Sequence, residues 1–136
     1  MKIYISCSKH FWDKVRAIKS DLERMGHFVT PPNGYNDPMS EDLIRQLDSS
    51  SYATWKGGML RTNSDIVEYH DGVLVLNFSK NGTDNYIGGS TFLEAFKAFE
   101  LQKKLYLYNP IPDGMLRDEI IGLDPVVING DLGLIK

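Results

Sequence analysis

A chain of 136 residues is long enough for one buried core and too short for two ordinary domains. Charged residues make up 24% and hydrophobic ones 42%, which excludes a wholly disordered chain; a formal charge of -3 excludes a broad basic face for long nucleic acid but leaves room for a small anion site. A lone cysteine, Cys7, cannot close an internal disulfide, His10, His27 and His70 are too scattered for a zinc or haem site, and no apolar run approaches the roughly eighteen residues of a membrane span, so the expectation is an untargeted cytoplasmic protein.

Ile3 and Ile5 alternate with polar neighbours and lead into Ser6-Cys7-Ser8, the pattern of a first strand ending in a small-residue loop. Phe11, Val15, Ile18, Leu22 and Met25 then recur at helical spacing, with Ser8 as a candidate cap and Gly26 as the stop. His27 to Thr30 reads as a second strand closed by Pro31-Pro32-Asn33-Gly34, and the turn-rich stretch to Ser40 as a loop. A short capped helix is predicted over Ser40 to Leu47, and a longer one from about Thr54 to Tyr69, interrupted at Gly57-Gly58. Val73 to Leu76 is a continuous apolar run, which predicts a strand buried on both faces at the centre of a parallel sheet. An apolar helix around Phe92 to Leu101, a strand at Leu105 to Tyr108, a short helix at Leu116 to Ile121 and a last strand at Val126 to Ile128 complete the order. Strand and helix alternate throughout, so the predicted fold is a single α/β domain over residues 1–136: a five-stranded, mainly parallel sheet with helices on both faces.

Ligands of such sheets bind beyond the carboxyl ends of the strands, which directs attention to Ser6 to His10, Asn77 to Glu94 and Asn109 onward. The richest segment is Asn85 to Glu94, where two glycines and two hydroxyl residues lead into a helix. Free backbone N–H groups of Gly88, Gly89 and Ser90 at the positive end of that helix make a small anion site without a basic side chain. Neither the dinucleotide-binding glycine fingerprint nor the Walker motif is present. Glu94 has two readings. Among apolar neighbours near a helix start it has the setting of a carboxylate nucleophile, yet Thr91-Phe92-Leu93-Glu94 also fits a capping box in which the glutamate only satisfies a backbone N–H. Cys7 reads as a small structural residue in preference to a nucleophile, Lys9 and His10 as solvated charge in preference to a phosphate attractor at the first helix start, and Asp71-Gly72 as a turn at the opposite sheet edge. Tyr4, Tyr35, Tyr52 and Tyr86 are candidates for stacking on a base, each with an equal claim as a core or rim aromatic.

Four segments, Lys2-Ile3-Tyr4-Ile5, Asp71 to Asn77, Tyr86 to Glu94 and Lys104 to Pro110, together resemble the nucleoside 2-deoxyribosyltransferase-like superfamily, which includes 2'-deoxynucleoside 5'-monophosphate N-glycosidases. The resemblance spans nearly the whole chain. It implies a Rossmann-like subunit, self-association, no metal or organic cofactor, a small nucleoside or nucleotide as partner, and Glu94 as nucleophile. Enzymes of that kind carry an aspartate eight residues before the central strand, where this chain has Asn63, with Asp65 the nearest acid. Thr91, Phe92 and Leu93 are also bulkier than the glycines common there. On this reading Glu94, Asn63 and Asp65 form the catalytic set, and Tyr4, Ser6, Ser8, Asn77, Tyr86, Gly88, Gly89 and Ser90 contact substrate. The alternative is a nucleotide-sensing module that binds a similar ligand without turnover.

Overall fold

The computed structural model describes residues 1–136. Along the chain run β1 (Lys2–Ser6), α1 (Trp12–Arg24), β2 (Phe28–Thr30), α2 (Ser40–Arg45), α3 (Ser49–Tyr69), β3 (Gly72–Val75), α4 (Gly89–Glu100), β4 (Lys104–Leu107), α5 (Arg117–Leu123) and β5 (Val126–Val127). Single 3-10 turns precede α1 at Lys9–Phe11 and close the chain at Leu132–Leu134. Every strand pair is parallel, in the order β2-β1-β3-β4-β5, so the fold is a Rossmann-like α/β sheet. The apolar strand β3 lies at its centre with all four residues buried.

The alternation of side chains along each strand divides the core into two layers. Ile3 and Ile5 of β1, Leu74 of β3 and Tyr106 of β4 meet Val15, Ile18 and Leu22 of α1, with Ile135 from the carboxyl terminus closing the same layer. Tyr4, Val73, Val75, Leu105 and Leu107 point the other way, against Val67 of α3, Ala95 and Ala98 of α4, and Ile120 and Leu123 of α5. One helix therefore covers one face and three cover the other. Burying each large apolar side chain stabilises the fold by about 1.5–3 kcal/mol.

The long helix differs from its predicted form. α3 begins at Ser49 and passes through Gly57 and Gly58 without a break. Asp48 starts it, its carboxylate accepting from the Ser51 N–H at 2.7 Å and the Ser51 hydroxyl at 2.9 Å. The glycines cost about 1 kcal/mol each in a helix interior, and packing of α3 against α4 and α2 offsets that cost. No helix is long and apolar enough to cross a membrane.

Two consequences position the site. The chain leaves β1 toward β2 on one side, then returns past β1 to β3 on the other, which opens a crevice where the carboxyl ends of β1 and β3 diverge. Because Ser6 shares the parity of Tyr4, both side chains face the layer that holds α4.

Candidate active site

Glu94 sits in the second turn of α4, not the first, since the helix starts at Gly89. Gly88, extended at φ -82° and ψ 174°, is the N-cap and offers no side chain, while Thr91 is buried within the helix. The capping box is thus not formed. The carboxylate instead reaches across to β1, where Ser6 Oγ donates to Oε1 at 3.0 Å.

The second oxygen, Oε2, is buried and closes no hydrogen bond of ordinary geometry, on a residue that is only 7% exposed; the neighbouring Tyr4 hydroxyl favours the carboxylate's charge without closing such a bond. Such an oxygen costs free energy, and its residue is a candidate for chemistry rather than support. Burial pushes the Glu94 carboxyl up to about 7, against the Tyr4 and Ser6 hydroxyls and the Lys56 ammonium, all of which favour the charged form. Near neutral pH the group is therefore poised between carboxylic acid and carboxylate.

Tyr4 is itself buried, and its hydroxyl accepts from the Asn33 backbone N–H at 3.2 Å. Burial and then the charge of Glu94 raise its pKa, so the phenol keeps its proton. From α3, Asn63 brings its Oδ1 to accept from Asn33 Nδ2 at 2.7 Å. Cys7 stands nearby, and burial followed by the charges of Glu94 and Asp13 pushes its thiol up to about 12, which leaves it protonated and a poor nucleophile.

These groups face a cleft of about 920 Å³. Tyr4, Cys7 and Glu94 contribute to its lining from the sheet side and α4, as do Lys56, Met59 and Asn63 from α3. Gly88, Gly89 and Ser90 bring the N–H groups at the start of α4 to the same space, where no side chain caps them. Charged pairs link the lining segments: Lys9 to Asp42 at 3.2 Å and Lys56 to Glu41 at 3.2 Å. A smaller cavity of about 130 Å³ between α3 and α4 also reaches Asn63 and Glu94.

Of the residues singled out by sequence, Glu94, Asn63, Tyr4, Ser8, Gly88, Gly89 and Ser90 converge on this cleft. Ser6 is fully buried and acts on the cleft only through Glu94. Asn77 is also fully buried; its side chain bonds the Asn109 N–H at 2.8 Å and the carbonyls of Asn109 and Pro110 at 3.0 Å, so it ties the carboxyl ends of β3 and β4 together. Tyr86 lies behind Gly88, where an added Cβ would meet its hydroxyl at 3.3 Å, and its ring packs on Phe11 with Lys80 above it. Asp65 is exposed and outside the cleft lining, because two helical residues beyond Asn63 amount to about 200° of rotation. Asn33 and Lys56 belong to the site although nothing in their local pattern marked them. A turn signal at Pro31-Pro32-Asn33-Gly34 does not say over which strand end the loop folds.

No three His, Cys, Asp or Glu side chains converge in a way that would hold a metal ion. Comparison with protein-family models, curated proteins and solved structures finds no significant match to this chain. Within its Rossmann-like class the site is therefore defined by its own chemistry: a buried carboxyl whose pKa burial raises, with one anchored and one unbonded oxygen, beside an uncapped helix start.

Proposed function

We propose that the protein breaks or transfers the N-glycosidic bond of a (deoxy)nucleoside or nucleoside 5'-monophosphate, with Glu94 as nucleophile. The observation that carries this reading is the unpartnered Oε2 of a carboxylate whose other oxygen is held by Ser6. By retaining chemistry, Oε2 attacks the anomeric carbon, the base leaves through an oxocarbenium-like transition state, and the glycosyl ester passes to water or to another base. Ser8 and the N–H groups of Gly88, Gly89 and Ser90 take the phosphate or 5'-hydroxyl, while Tyr4 and Asn63 border the sugar and base. Self-association and a cytoplasmic setting, which the sequence resemblance and composition suggest, belong to the same proposal. Incubation with a panel of nucleosides and 5'-monophosphates, followed by chromatography for free base, tests it: release from at least one compound supports the reading, and none from any contradicts it.

A second reading rests on Asn63, a neutral amide where the resembled enzymes carry an acid. A nucleotide sensor would use the same cleft, gain thermal stability from the ligand and release no base.

A further inference from the structure

Asn33 holds two groups of the site at once. Its backbone N–H donates to Tyr4 Oη at 3.2 Å, and its side-chain Nδ2 donates to Asn63 Oδ1 at 2.7 Å. The same Nδ2 faces Met59 Sδ at 3.6 Å, a soft acceptor that offers nothing to a carbonyl oxygen, so the amino end of Asn33 is the end turned toward α3. The orientation of Asn63 follows. Its oxygen is engaged by Asn33, and its Nδ2, with two N–H donors and no protein acceptor, is left to the two adjoining cavities that Asn63 and Glu94 both line. Asn63 therefore presents hydrogen-bond donors to a ligand, on a group that has no transferable proton at physiological pH.

We infer that Asn63, positioned by Asn33, stabilises the departing base as an anion without protonating it, and that the preferred substrates carry a base whose anion is stable, such as a 6-oxopurine or an electron-poor pyrimidine. The inference rests on the nucleophilic role proposed for Glu94. As the bond from Oε2 to the anomeric carbon forms, the bond from that carbon to the base nitrogen breaks and its electron pair stays on the base. Asn63 N–H donors meet that charge at a ring nitrogen or exocyclic oxygen. Water then adds its oxygen to the anomeric carbon and Glu94 leaves as a carboxylate. The proton lost by that water balances the one the base anion takes from solvent. Donors aimed at developing charge lower the barrier, but they leave the rate dependent on how well the base carries that charge. An acid at position 63 would remove much of that dependence.

The test compares base release from the 2'-deoxyribosides and 5'-monophosphates of 5-fluorouracil, uracil and thymine, which differ little in size and fall in that order of N1 acidity, and from the hypoxanthine and adenine pair. For the wild-type protein, single-turnover release should fall by at least roughly threefold per unit rise in leaving-group pKa, with hypoxanthine ahead of adenine. Asn63→Asp should flatten the order. Rates indifferent to base acidity, or adenine ahead of hypoxanthine, would overturn the inference and assign protonation to another cleft acid, His10 among them. Absence of release even from the 5-fluorouracil compounds would instead remove the nucleophile reading itself, and the inference with it.

Discussion

Ser6 and Glu94, 88 residues apart in sequence, share a buried hydrogen bond of 3.0 Å that joins the carboxyl end of β1 to the second turn of α4. The bond does two things: it satisfies a hydroxyl with no access to water, and it fixes one carboxylate oxygen while the other stays unbonded. Because Ser6 donates to the charged form, losing it should raise the carboxyl pKa further. If Glu94 acts as a carboxylate, kcat/KM for base release rises as pH passes through about 7, and in Ser6→Ala that rise moves to higher pH. The stability loss of Ser6→Ala should be about 1 kcal/mol. An unshifted pH profile would disconnect the bond from the chemistry.

Glu94 should also set part of the pH dependence of folding. Its folded pKa of about 7 lies above the ordinary value of 4.5, so the native state binds the proton more tightly than the unfolded chain. The associated stability is present in full below 4.5 and is lost as pH rises through about 7, an effect on the order of 3 kcal/mol. Glu94→Gln carries no charge at any pH. Its melting temperature should exceed that of the wild type at pH 8 and converge with it near pH 4.5; equal curves at pH 8 would show that the buried charge is costless.

His70 works in the opposite sense. Nδ1 lies 2.6 Å from the Ile66 carbonyl and Nε2 lies 2.6 Å from the Thr30 hydroxyl, an arrangement that suits a neutral ring donating to Ile66 and accepting from Thr30. Burial first, with the charges of Lys2 and Lys103 adding to it, holds its pKa below the ordinary 6.5. The stability of the neutral ring is present above 6.5 and is lost as pH falls through the lower folded value. His70→Gln should lower stability at pH 7.5 yet show a smaller loss of melting temperature on going to pH 5. A steeper acid loss in the variant would contradict this assignment.

Two residues considered for the site should behave as structural or neutral. Asn77→Ala removes a buried side chain that ties β3 to β4, and should cost about 2–4 kcal/mol in denaturant unfolding. Asp65→Ala, on an exposed helix position, should alter stability by no more than about 0.5 kcal/mol and leave any base release unchanged. Loss of activity in Asp65→Ala with an intact fold would restore it to the catalytic set.

Much of this architecture was legible in the sequence because it follows from periodicity. The apolar run at Val73 to Leu76 required a strand covered on both faces, and the helical spacing of Val15, Ile18 and Leu22 required a partner face, which Ile3, Ile5 and Leu74 supply. The capping-box spacing of Thr91 and Glu94 points to a start for α4 at Thr91, whereas Gly88 caps the helix one turn earlier and so sends Glu94 toward β1. The first turn of α3, Ser49-Ser50-Ser51 behind the Asp48 cap, carries no apolar residue, so hydrophobic periodicity does not reach it. Asn33 could not be read at all. Its partners Tyr4 and Asn63 lie 29 residues before and 30 after it, and only the folded loop brings the three together.

The most direct measurement is single-turnover base release by Glu94→Gln beside the wild-type protein, with ligand binding and melting temperature followed in parallel. An uncharged amide is a very poor nucleophile, so release should fall by at least roughly a thousandfold, or about 4 kcal/mol of transition-state stabilisation, while nucleotide binding and the fold persist. A glycosyl adduct trapped on Glu94 of the wild type would identify the attacking residue directly. Release by Glu94→Gln at nearly the wild-type rate would contradict the account, leaving the buried carboxylate with a role other than attack on the sugar.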